Sequence, residues 1–214
     1  MNVTIWSDFV CPFCYIGEAH LAQAIAELDF GKEIEIEYKS FLLNPEAKYD
    51  SNKSYLQSLA DDKGMPVEQA AEMTQRVVDM GAQAGLAIDF EQAKYAPTQD
   101  AHRVFQYAKE TGKGNEFFAR FYQAYFTEGQ NLGEAEVIVT LAKEVGLAEE
   151  KVRAILASED YQEAFYGDIQ QAQTIGVQGV PFFVLANKYA VSGAQPTELF
   201  KQALTQAWQE QAEA

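Results

Sequence analysis

Cys11 and Cys14 are the only cysteines in the chain, and two residues separate them. That spacing makes a dithiol able to close on itself, and the chemistry it offers is thiol-disulfide exchange. Asn2 to Trp6 has the alternation and β-branching of a strand, and Ile16 onward has helical periodicity, so the thiols fall where a strand hands over to a helix. A nucleophile at a helix N-terminus meets free backbone N–H groups and the positive end of the helix dipole, both of which stabilise a thiolate. Pro12 suits that first turn, where its missing N–H had no partner. Cys11 is therefore expected to attack. Cys14, about one turn later and deeper, is expected to resolve the mixed disulfide. Phe13, between them, can touch the thiolate but offers it no charge and no hydrogen bond.

The competing reading is half of a zinc site. Structural zinc takes four ligands, usually with a second Cys or His pair at short spacing, and no such pair follows. His20 lies roughly 900° around the helix from Cys11 at ~100° per residue, on the opposite face. No metal and no bound cofactor are expected, the redox group being the Cys11–Cys14 disulfide itself.

The elements that must hold this dithiol can be read in order. A helix is expected from about Pro12 to Leu28, then a half-exposed strand from Glu33 through Tyr38 to Leu43, broken by Asn44-Pro45. From Tyr49 to about Leu156 only amphipathic helices are legible, set off by Gly and Pro. One opens at Pro66, and others cover Thr98 to Lys109, Asn115 to Phe126, Glu134 to Val145 and Glu149 to Leu156. The third carries Phe117, Phe118, Phe121, Tyr122, Tyr125 and Phe126, apolar nearly all round, and is expected to pack as core. The α/β pattern resumes with a helix from Tyr161 to Thr174 and a strand from Phe182 to Ala186 behind Gly176-Val177-Gln178-Gly179-Val180-Pro181. Asn187-Lys188 turns it into Tyr189 to Val191, and Pro196 starts a last helix. Residues 1–46 and 158–214 thus form an α/β domain, and residues 47–157 a helical insertion. Taken alone, the sequence leaves the Val180–Pro181 bond trans, because only about one X-Pro bond in twenty is cis in folded proteins.

Composition narrows the partners. The net charge of −16 and pI near 4.4 repel phosphate backbones and anionic lipid alike, which disfavours nucleic-acid and membrane roles. The first strand begins at once, without a basic, apolar leader, so a cytoplasmic location is expected.

The order of a strand, a Cys-Pro-Phe-Cys helix, a strand, a helical insertion, a helix, Val180-Pro181, a hairpin and a final helix resembles the DsbA-like branch of the thioredoxin superfamily. The likeness is closest to FrnE-type oxidoreductases. It rests on Ser7-Asp8-Phe9-Val10-Cys11-Pro12-Phe13-Cys14-Tyr15-Ile16-Gly17, on Gly176 to Phe183, and on Val191-Ser192-Gly193-Ala194-Gln195-Pro196. It implies a thioredoxin fold with a large all-helical insertion. It also implies a cis Pro181 beside Cys11, with the Val180 backbone pairing to a bound polypeptide. Phe13 departs from the pattern, since many FrnE-like motifs have Trp there and DsbA has His. The same branch includes 2-hydroxychromene-2-carboxylate isomerases and kappa-class glutathione transferases, which typically carry Ser where Cys11 stands. Ala101-His102-Arg103 resembles a block of that wider group, with Pro97 in place of its preceding Asn; His102 is read as a core or surface histidine.

The expected function is thiol-disulfide exchange with protein or peptide substrates, glutathione being a candidate co-substrate and the chain a monomer or homodimer. The alternative is a glutathione-dependent isomerase or transferase of small aromatic substrates, its acceptor pocket lined by the aromatic helix. A third, non-enzymatic reading is a peptide-binding chaperone that would tolerate loss of its cysteines. A cytosolic glutathione poise near roughly −280 mV lies about 160 mV below a DsbA-like potential near −120 mV, so a cytosolic enzyme of that potential would rest as the dithiol.

Overall fold

The computed structural model describes residues 1–212, which form two compact units. One comprises Met1–Leu43 with the segment from Asp168 onward, and the other Asn44–Gly167. The sequence reading put the changes of domain at 46/47 and 157/158.

The first unit is built on a four-stranded sheet of order β2-β1-β3-β4. Strand β1 (Asn2–Ser7) runs parallel to β2 (Glu35–Ser40) and antiparallel to β3 (Phe182–Leu185), which pairs antiparallel with β4 (Tyr189–Ser192). Paired on both edges, β1 is buried from Val3 to Ser7. Val3 and Ile5 face a core completed by Leu21 and Ala24 of α1 (Pro12–Ala26), Phe183 and Leu185 of β3, and Phe200 and Leu204 of α9 (Thr197–Ala212). Phe183 meets Phe200 edge to face with centroids 4.8 Å apart. On the other face Trp6 packs with Ala172 and Val177. Asp168 secures that side: its carbonyl accepts from Trp6 Nε1 at 3.0 Å and its carboxylate from the Ser40 N–H at 2.9 Å.

β2 is shorter at both ends than its alternation predicts. A 3-10 turn over Gly31–Glu33 delays its start, and its ladder ends when β1 does, the bond from Phe41 N–H to Ser7 O being the last. α1 likewise stops at Ala26, two residues before the expected Leu28.

The second unit is helical: α2 (Tyr55–Lys63), α3 (Val67–Gln83), α4 (Gln99–Glu110), α5 (Gly114–Tyr122), α6 (Ala135–Glu144), α7 (Glu149–Leu156) and the start of α8 (Gln162–Thr174). α2 was not resolved individually from the sequence. A reciprocal capping box between Ser54 and Gln57 opens it, and Gly64, at a φ of +62°, closes it. α5 passes into a π turn over Gln123–Thr127, and all six of the aromatic side chains anticipated there are buried, with Phe117 and Phe121 stacked at 3.9 Å. Among the described residues no helix is long and apolar enough to cross a membrane.

Candidate active site

Cys11 is the N-cap of α1. Its backbone is extended there, and its sulfur accepts the N–H of Cys14 at 3.3 Å, satisfying one of the donors a helix start leaves open. Pro12 occupies the first helical position. The turn feeding the helix is held by Asp8, whose carbonyl accepts from Cys11 N–H at 3.0 Å while its buried carboxylate accepts from Leu43 N–H at 2.9 Å.

Both cysteines are thiols in this structure. Cys11 retains 3% exposure and Cys14 none. Burial first, then the hydrogen bond and charge of Cys11, push the Cys14 thiol well above its usual range; the Ser7 hydroxyl and the Asp8 backbone N–H pull in the other direction. A thiol so placed keeps its proton until something removes it.

The second organising segment arrives at the same place. The Cys11 thiol donates to the Val180 carbonyl at 3.6 Å, and the Val180–Pro181 bond is cis, as the resemblance implies and against the bare-sequence expectation. Pro181 is buried and Val180 half-buried. Gly17 makes this approach possible, since a Cβ there would meet Pro181 Cγ at 3.1 Å, Phe183 Cζ at 3.2 Å and Ala194 Cα at 3.3 Å. Phe13, 42% exposed, presents a ring to solvent at the mouth of the dithiol.

The two histidines lie elsewhere. His20 Nδ1 is 2.9 Å from the Gln195 carbonyl, while His102 is fully buried in the helical unit with its ring stacked on Phe165 at 5.6 Å. His102 is therefore a core residue.

A polar cluster beneath the dithiol was missed from the sequence. Ser7 Oγ donates to Glu18 Oε1 at 3.1 Å and Tyr38 Oη to Glu18 Oε2 at 2.8 Å. The available signal was spacing, because Glu18 lies four residues after Cys14 and so one turn along the same helix face. As a whole the arrangement can exchange disulfides: a nucleophile at a helix start, a resolving thiol one turn below it, and a backbone carbonyl at the entrance.

Comparison with known proteins places this geometry in context. The profile of the DSBA-like thioredoxin domain matches residues 2–205. The uncharacterised protein YwbO of Bacillus subtilis is 30% identical over 207 residues, spanning 96% of each chain. The crystal structure of a probable DsbA oxidoreductase from Streptomyces coelicolor is similar at a TM-score of 0.91 and 38% identity, covering 98% of this chain and 91% of that one. A 2-hydroxychromene-2-carboxylate isomerase shares the fold at a TM-score of 0.71 and 15% identity, with 100% and 98% covered.

Proposed function

The chain belongs to the DSBA-like thioredoxin domain family, and from that membership we propose that it is a thiol-disulfide oxidoreductase of FrnE type acting on protein or peptide disulfides. One observation carries the reading: the sulfur of Cys11, at the start of α1, accepts a hydrogen bond from the Cys14 backbone N–H on one side and has the Val180 carbonyl 3.6 Å away on the other. The similarity to the probable DsbA oxidoreductase of Streptomyces coelicolor supports it. Cys11 thiolate attacks a substrate disulfide, forming a mixed disulfide and releasing one substrate thiol. Cys14 then attacks Cys11, and the second substrate thiol leaves. Val180 and Pro181 would receive the substrate backbone, and Phe13 would set how strongly the thiolate is favoured. Glutathione is the proposed thiol that recycles the enzyme, in a cytoplasmic setting where the dithiol is the resting form.

The test is reduction of insulin disulfides, run beside glutathione conjugation and isomerisation of small aromatic substrates. Insulin reduction is expected, lost in Cys11→Ser, with mixed disulfides trapped in Cys14→Ser. Activity only in the aromatic assays would favour the isomerase alternative, and insulin reduction that survives Cys11→Ser would refute the dithiol mechanism. The aromatic helix offers that alternative no support, because its side chains are fully buried.

A further inference from the structure

Cys14 must give up a proton before it can resolve a mixed disulfide, and its side chain is fully buried. Ser7, buried as well, hydrogen-bonds Cys14 on one side. On the other its hydroxyl lies 3.1 Å from Glu18 Oε1, and Tyr38 donates to Glu18 Oε2 at 2.8 Å. Burial first, then the Glu18 charge, hold the Tyr38 phenol protonated far above its usual range, so Tyr38 remains a donor. Both carboxyl oxygens of Glu18 thus accept, as an ionised carboxylate does. Glu18 is only half-buried, so the series Cys14, Ser7, Glu18 leads from the interior toward water.

We propose that Glu18 receives the proton of Cys14 through the Ser7 hydroxyl, making the resolving step base-assisted; this rests on the oxidoreductase reading above. Cys14 passes its proton to Ser7 Oγ while the Ser7 hydroxyl proton moves to Glu18 Oε1. The Cys14 thiolate attacks Cys11 Sγ and the Cys11–Cys14 bond forms. The bond from Cys11 to the substrate sulfur breaks, its electron pair leaves on that sulfur, and the sulfur takes a proton from water. The two enzyme thiols are oxidised and the substrate disulfide is reduced by two electrons. Tyr38 holds the carboxyl in register throughout, and Glu18 then returns its proton to solvent.

Among the ionisable groups, Tyr15 of α1 and Tyr38 of β2 feel the Glu18 charge, and Cys14 acts on Tyr38 in turn; Asp8, in the turn before α1, has its carboxylate engaged by Leu43 N–H. His20, further along α1, is turned to the Gln195 carbonyl. Acting as the base at the water-facing end of that series, Glu18 would set the pH dependence of resolution but not of attack.

The test times the two steps separately. Reduced full-length protein is mixed with oxidised glutathione, quenched in acid, and the Cys11–glutathione adduct is separated from the internal disulfide by mass. Glu18→Gln should leave attack within about twofold and slow resolution about 100-fold or more near pH ~7, the gap closing as pH rises and hydroxide replaces the base. Ser7→Ala should behave alike, and Ser7→Thr, which keeps a hydroxyl, should recover most of the resolving rate. Resolution at the unmodified rate in Glu18→Gln overturns the relay, as does equal slowing of both steps at every pH. Should Glu18→Gln fail to fold, Ser7→Ala decides on the same two rates. Absence of any Cys11 adduct in the unmodified protein would remove the oxidoreductase reading itself, whereas an adduct that forms and resolves indifferently to these substitutions removes the relay alone.

Discussion

Phe13 is the side chain between the two thiols, 42% exposed beside a Cys11 that is 3% exposed, so it can be replaced without disturbing the core. A protonated imidazole at that position would favour the Cys11 thiolate by opposite charge and hydrogen bonding, both of which Phe13 lacks. Phe13→His should therefore stabilise the dithiol form and raise the reduction potential, a rise of ~30 mV corresponding to about a tenfold change in the glutathione equilibrium. A glutathione titration measures it, and an unchanged or more negative potential would mean that residue 13 does not act on the sulfur. Cys14 gives a prediction in pH. Its thiol value is raised by burial, so the native state binds that proton more tightly than the unfolded chain and stability falls as pH rises through the interval. Melting of the reduced protein should be level below about pH 8.5, the unfolded thiol value, and decline above it. Tyr38, raised by burial and by Glu18, adds a second decline above about pH 10. Cys14→Ala should remove the first decline and keep the second; thermal melts across both windows distinguish the two.

At the scale of elements, the dithiol helix is positioned by one residue without a side chain. α1 crosses the Pro181 segment and β3 so closely at Gly17 that a methyl group there would lie 3.1–3.3 Å from three neighbours, one of them backbone. Gly17→Ala should cost about 1–3 kcal/mol by overpacking, lowering the melting temperature by about 2–4 °C per kcal/mol in a chain of this size. It should also slow disulfide exchange, because the neighbour that moves carries the Val180 carbonyl away from Cys11. A variant with unchanged melting temperature and exchange rate would show that the contact relaxes freely. The same scale explains which elements were legible. Helices with long apolar stripes or a proline at their start, such as α3 and α4, were found within a residue or two. α2, nine residues long, announces itself only by its Ser54 and Gln57 caps, and the strand limits of β2 depend on where its partner β1 ends.

Over the whole molecule the dominant quantity is charge. With 32 acidic against 16 basic residues, self-repulsion opposes the compact state, while exposed ion pairs such as Lys53–Asp61 and Arg153–Glu136 offset little of it. Salt shortens the reach of that repulsion from about 30 Å at 0.01 M to about 8 Å at 0.15 M. The melting temperature should therefore rise over that range by a few degrees, on the order of 1 kcal/mol at 2–4 °C each. Scanning calorimetry at the two ionic strengths checks this, and a fall would mean that the ion pairs outweigh the net charge.

What the sequence by itself determined is everything that depends on neighbours along the chain. The Cys11–Cys14 spacing, the proline at the first helical position and the switch from alternating to helical periodicity place a dithiol at a helix start. The apolar stripes separate an α/β part from a helical part. What only the tertiary structure decided joins residues far apart in the chain, where no local pattern records the partner. The Cys11 sulfur meets the Val180 carbonyl 169 positions later, and Asp168 closes against Ser40 from 128 positions away. The burial of Cys14 and the convergence of Ser7, Glu18 and Tyr38 beneath it arise because β1, α1 and β2 pack together. Ionisation and proton movement in that site follow from distances of about 3 Å, which only the folded chain supplies.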